Sequence, residues 1–188
     1  MNPRIIVLEG PDGTGKTRHV RALADALTDA SIQAMRWGHG GLLGLANPTP
    51  WEAALYYARQ RAELASVIRQ GWHDAARVIV CDRWWHSTVI LGAALRGEHD
   101  LPLSSLVIAE EWAWPKVVPI TTLVLTAPDA VLDERLARRG TPTTDRDRAI
   151  RRAYDTCHYT HDCDRVDTSG PPEAVTARLV ELVRGVLS

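Results

Sequence analysis

The chain has no phenylalanine, and its only lysines are Lys16 and Lys116. Aromatic packing therefore falls to seven tryptophans and four tyrosines, and positive charge falls almost wholly to arginine. Three cysteines, an odd number, exclude a fully paired disulfide framework and fit a reducing, cytoplasmic setting. No apolar run approaches the ~18 residues that a membrane span needs. The net charge of −1 leaves no global field drawing the protein to nucleic acid or a membrane surface. Met1-Asn2-Pro3-Arg4 leads straight into an apolar stretch, so no secretory leader is expected. At 188 residues the chain can build one α/β domain over 1–188 with a proper core.

What is there begins with Gly10-Pro11-Asp12-Gly13-Thr14-Gly15-Lys16-Thr17. The run fits G-x-x-x-x-G-K-[ST], the pattern of a phosphate-binding loop. Arg4 to Glu9 reads as a buried strand before it, and the residues from Lys16 read as a helix after it. That is the context the pattern requires. Gly10, Gly13 and Gly15 let the backbone turn tightly and approach a ligand, with Thr14 between them. Successive N–H groups and the helix N-terminus then form an anion nest. Lys16 can reach the β- and γ-phosphates of a nucleotide, and the Thr17 hydroxyl can hold Mg²⁺.

Five β-rich runs, 4–9, 33–37, 77–82, 121–127 and 164–168, alternate with helical stretches. The helices are expected over 16–29, 51–71, 86–96, 102–112, 129–139, 146–158 and 171–187. This alternation predicts an α/β fold: a five-stranded parallel sheet with helices on both faces, in three layers. The Gly- and Pro-rich stretch 38–50 reads as a loop after the second strand, where such sheets place substrate. Arginine-rich helices flank 140–144, so 135–148 reads as a lid.

The third strand, Arg77-Val78-Ile79-Val80-Cys81-Asp82, ends in a carboxylate that can hold Mg²⁺ beside the phosphate loop. Arg83 follows at once, and a guanidinium fixed there suits a phosphate. Cys157, His158, His161 and Cys163 lie close together, but their spacing matches no standard zinc pattern and reads as a polar helix end.

The chain resembles the thymidylate kinase family of nucleoside-monophosphate kinases. Ile6 through Thr17 is similar to that family's E-G-x-D-G-x-G-K-[ST], and Asp82-Arg83-Trp84-Trp85-His86-Ser87 to its D-R-Y-x-x-S. Tyr57-Ala58-Arg59-Gln60-Arg61 resembles F-A-A-D-R. Leu132-Asp133-Glu134-Arg135 through Arg139-Gly140 resembles the approach to the lid, and Asp167-Thr168-Ser169-Gly170 the loop near the donor base. The resemblance implies a P-loop kinase fold, ATP as donor, Mg²⁺, and a small-molecule nucleotide acceptor, most directly dTMP. It also allows a homodimer. Lys16, Asp12, Asp82, Arg83 and Arg139 would be the catalytic set, with Thr17 and Asp82 holding the metal. Arg83 would hold the acceptor phosphate, and Asp12 would lie against the acceptor sugar or the surroundings of its phosphate. Tyr57 would stack on the acceptor base and Arg61 would meet its edge. Arg36, Trp84 and Ser87 complete the acceptor side. Arg135 and Arg139, four apart on one helical face, would serve the donor, with Arg138 and Arg146 in range.

Two segments depart from the family. R-E-P-G-G is replaced by Arg36-Trp37-Gly38-His39-Gly40-Gly41, and the A-Y-Q after D-R-Y-x-x-S by Ile90, Leu91 and Gly92. The base- and sugar-reading groups are thus partly gone. Two alternatives follow: a kinase acting on a hydroxyl of a nucleoside or of a modified pyrimidine in DNA, the one reading that brings in nucleic acid, and a nucleotide-binding module without turnover.

Overall fold

The computed structural model describes residues 4–28, 34–37, 50–70, 78–94, 120–156, 160 and 163–187. Its strands are β1 (Arg4–Glu9), β2 (Ala34–Trp37), β3 (Val78–Asp82), β4 (Ile120–Thr126) and β5 (Asp164–Asp167). Its helices among the described residues are α1 (Lys16–Leu27), α2 (Pro50–Arg69), α3 (Trp85–Ala94), α4 (Asp129–Arg138), α5 (Asp145–Thr156) and α6 (Pro172–Leu187). The helix expected over 102–112 lies outside the described residues.

The strands form one parallel sheet in the order β2-β3-β1-β4-β5. The central strand β1 is apolar at every position from Ile5 to Leu8 because a parallel strand is covered on both faces. Alternation then sorts its side chains. Ile6 and Leu8, with Val78, Val80, Leu123 and Leu125, pack under α1 and α6 through Val20, Leu23, Leu27, Val175, Leu179 and Val183. Ile5 and Val7, with Ile79 and Cys81, pack against Leu64 and Ile68 of α2 on the other face. Val124 meets Ile90 of α3 and Ala153 and Tyr154 of α5 on that same face. The result is the expected three-layer α/β sandwich.

The register aligns Leu8 with Asp82 and Glu9 with Val124, so β1, β3 and β4 end side by side. The chain leaves β1 at that edge and turns into α1. Ligands of open α/β sheets bind in this crevice beyond the carboxyl ends of the strands.

Two glycines allow the turns that matter. At Gly10 φ is 140°, and a Cβ there would stand 2.3 Å from the carbonyl oxygen of Leu125, so the phosphate loop can pass β4 only without a side chain. At Gly140 φ is 74°. Its N–H bonds the carbonyl of Ala137 and the N–H of Thr141 bonds that of Leu136, which closes α4 in a Schellman motif. The chain then crosses 141–144 and starts α5 on a capping box, in which Thr144 and Asp147 exchange hydrogen bonds of 2.6–3.2 Å.

Candidate active site

The phosphate loop leads into α1 with Gly15 at the N-cap, no side chain bonding the cap and no acid in the first turn. The positive end of α1 is therefore left to an anion. Lys16 is buried and turns its Nζ onto the carbonyl of Pro11 at 2.8 Å, with the Asp12 carboxylate 3.6 Å away. Burial, and then the charge of Arg83, bring its ammonium down to about 8. Thr17 donates to Oδ2 of Asp82 at 2.6 Å. This hydroxyl and carboxylate are the hard oxygen donors that suit Mg²⁺.

Arg83 stands at the carboxyl end of β3 with φ of 73°, a conformation uncommon for a residue with a side chain. Its N–H bonds the carbonyl of Leu8 at 3.1 Å. The guanidinium donates to Asp12, reaches Ser87 Oγ at 3.1 Å, and lies 3.5 Å from the carbonyl of Gly10. The Asp12 side chain is open to solvent, and the charges of Arg83 and then Lys16 hold its carboxyl at about 2.

Behind Arg83 lies a group that the sequence reading passed over. Glu9 is fully buried at the end of β1. Its Oε1 accepts from the N–H of Trp84 at 2.6 Å and of Ser87 at 3.1 Å, and so caps the N-terminus of α3 from a different element. Its Oε2 accepts from Ser87 Oγ at 2.7 Å and from the Tyr154 hydroxyl at 2.8 Å. The available signal was a carboxylate directly after the apolar run 5–8, since a charge buried there must find donors. Thr88 was also missed. It is buried on α3 and accepts from Arg61 at 3.3 Å.

Two acceptor-side expectations need correction. Trp84 does not face a substrate crevice: it is 3% exposed and packs with Ile5, Val7, Leu64, Ile68, Ile79 and Cys81. Its indole is large and apolar, and the sheet face takes it in. Trp85, half-buried and stacked on His86 at 4.1 Å, is the tryptophan nearer the surface. Ser87 is fully buried and holds Glu9 and Arg83, so it acts behind the site rather than in it. Arg61 is buried beside Thr88, on the face of α2 turned to α3. The side chains of Arg36, Tyr57, Leu91 and Gly92 lie outside those described, as do Cys157, His158 and His161. Cys163 is half-buried and in no disulfide among the described residues, and no cluster of three metal-ligating side chains occurs among them.

Arg135 bonds the carbonyls of Gly13 at 3.2 Å and Thr168 at 2.6 Å, with Thr168 Oγ1 at 3.3 Å. It ties the phosphate loop to the turn after β5. Acids pair with several arginines of α4 and α5. Arg138 pairs with Glu134, Arg148 with Asp145, and the buried Arg151 with Asp129 and Asp133. Among the described residues Arg139 and Arg146 form no ion pair, and the charge of Arg139 reaches Asp12.

Comparison with known proteins identifies the family. The thymidylate kinase of Caulobacter vibrioides is 33% identical over 150 residues, covering 72% of this chain and 70% of its own. The chain belongs to the thymidylate kinase family. The thymidylate kinase of Bordetella petrii is 30% identical across 94% of this chain and 92% of the relative. That of Rhizorhabdus wittichii is 29% identical over the full length of both. No protein-family model matches the chain. The family relation covers the whole sheet, from the phosphate loop to α6. Among the described residues no helix is long and apolar enough to cross a membrane.

Proposed function

We propose that this protein transfers the γ-phosphoryl of ATP to a nucleoside monophosphate, with dTMP as acceptor. The observation that carries the reading is Arg83, a guanidinium fixed beside the phosphate loop at the carboxyl edge of the sheet. Family membership supplies the acceptor class and weighs against a hydroxyl kinase or a module without turnover.

In this reading Gly10, Gly13, Thr14 and Gly15 offer backbone N–H groups to the donor phosphates, and Lys16 leaves Pro11 to meet the β- and γ-oxygens. Thr17 and Asp82 would hold Mg²⁺, which when bound neutralises charge on those phosphates. Arg83 holds the acceptor phosphate, and Asp12 keeps that guanidinium turned toward it. An acceptor phosphate oxygen attacks the γ-phosphorus in line, the bond to the β-bridging oxygen breaks, and ADP leaves. No protein nucleophile is needed, so catalysis is positioning and charge neutralisation. Arg139 reaches the transferring phosphoryl, and Arg135 lies along the donor base. Arg61 with Thr88 meets the edge of the acceptor base, Tyr57 stacks on it, and Arg36 borders the acceptor. Cys81 and Cys163, in no disulfide among the described residues, fit a reducing cytoplasm.

The test is a panel of acceptors with ATP labelled on the γ-phosphate: dTMP, dUMP, thymidine and an oligonucleotide with a modified pyrimidine. The reading expects label in dTDP. Label only on a hydroxyl acceptor, or no transfer to any, contradicts it.

A further inference from the structure

We infer that Tyr154, acting through Glu9 and Ser87, is a positioning residue that fixes the guanidinium of Arg83 and links helix α5 to the acceptor side of the site. The inference rests on the reading of Arg83 as the acceptor-phosphate residue. It adds a part that neither the motifs nor the relatives assign.

Glu9 and Tyr154 are 145 positions apart, yet the tyrosine hydroxyl donates to Oε2 of Glu9 at 2.8 Å and lies 3.2 Å from Ser87 Oγ. Ser87 spends its own proton on the same Oε2 at 2.7 Å, so its lone pairs face the Arg83 Nη1 donor at 3.1 Å. The Tyr154 hydroxyl is kept protonated, since burial and then the charge of Glu9 push its pKa well above the ordinary value. A donor is thus always turned toward Glu9.

The same carboxylate also fixes the backbone. Arg83 sits in the left-handed region, which persists only where its surroundings over-determine it. The peptide N–H on one side of its Cα is held by Leu8, and that of Trp84 on the other by Oε1 of Glu9. Glu9 therefore governs both the direction in which Arg83 leaves the chain and, through Ser87, where its side chain ends.

Tyr154 reaches this group from α5, the helix that begins just after the 141–144 stretch. Three residues earlier on α5, buried Arg151 bonds Asp133 at 2.7 Å and Asp129 at 3.2 Å on α4. Positions three apart share a helix face. One face of α5 thus holds both the donor-side helix with Arg135 and the cradle of the acceptor arginine. Arginine and tyrosine use charge and a hydroxyl to do this, where an apolar contact would have fixed neither orientation.

Tyr154→Phe removes one oxygen and keeps the ring, and Ser87→Ala breaks the same chain from the other side. Each should lower kcat/KM for the acceptor roughly tenfold, through a raised acceptor KM, and leave the KM for ATP within about twofold. In an Arg83→Ala background Tyr154→Phe should add nothing, because it acts through Arg83. A loss of similar size in both backgrounds, or equal effects on ATP and acceptor, would overturn the inference. A readout independent of turnover is the Arg83 side-chain N–H signal in NMR of the unliganded protein. Its exchange with water should accelerate severalfold in Tyr154→Phe, and an unchanged rate would also overturn the inference. Wild-type protein inactive on every monophosphate would remove the proposed function, while the exchange rate would still decide the role of Tyr154.

Discussion

Lys16 rests its ammonium 2.8 Å from the carbonyl of Pro11, which also accepts from Thr14 Oγ1 at 2.8 Å. The Pro11 carbonyl, the Asp12 carboxylate at 3.6 Å and the charges of Asp82 and Glu9 only partly offset its burial and the charge of Arg83. Its pKa of about 8 expresses that shortfall. The folded value lies below the ordinary lysine value of 10.5, so folding is penalised while Lys16 is charged, and stability rises with pH between about 8 and 10.5.

Lys16→Met should therefore raise the melting temperature of the unliganded protein at pH 7 by a few degrees. Thr14 still satisfies the Pro11 carbonyl in that variant. Phosphoryl transfer should fall by about 10²–10³ or more, since a donor aimed at developing charge is lost. Thermal scans with and without ATP read both effects. A variant that is less stable and still active would contradict the position given to Lys16.

Acid should weaken the fold through two histidines. His19 bonds Thr176 Oγ1 at 3.1 Å and is held below the ordinary value by burial, then by Arg18 and Arg135, with Glu173 opposing. Burial also lowers His86, with Glu9 opposing and Arg61 assisting, and its Nδ1 has no hydrogen-bond partner among the described residues. The fold favours the neutral form of both. Their contribution is complete above the ordinary histidine value of 6.5 and is lost as pH falls below it, because the unfolded chain takes up protons first. Denaturant titrations from pH 7.5 to 5 should show falling stability, and His86→Leu should flatten the slope. An unchanged slope would place the titration elsewhere.

Base selectivity should be loose. Leu91 and Gly92 stand where the family usually carries an aromatic and an amide. Two absent hydrogen bonds, at roughly 1–3 kcal/mol each, correspond to about 10- to 10⁴-fold discrimination. The kcat/KM ratio of dTMP to dUMP should fall below that of relatives with A-Y-Q. A stringent ratio would mean that Arg61 and Thr88 carry the recognition.

Much of the fold was legible because buried parallel strands are unbroken apolar runs. The run 4–9 matches β1, and 77–82 begins one residue before β3. The loop pattern likewise placed Lys16 and Thr17, and the strand-end rule placed Asp82 and Arg83 close to them. What the pattern could not supply was which way each side chain turns. Trp84 and Ser87 carry the family motif but point inward, one for apolar burial and one to serve Glu9. The pairing of Glu9 with Tyr154 depends on packing α5 against the sheet, which no local spacing encodes. Nor does the arginine-rich pattern of 135–148 reveal that Arg138 and Arg148 are paired with Glu134 and Asp145.

Steady-state kinetics of Arg83→Ala, with dTMP and ATP varied in turn, test the central claim most directly. Arg83 is held by Ser87 as well as by Asp12 of the phosphate loop and is read as the acceptor-phosphate residue, so its loss should fall on the acceptor. The account predicts a dTMP KM raised at least tenfold, a lowered kcat, and an ATP KM within about twofold of wild type. A selective loss of ATP binding with unchanged dTMP KM would contradict it.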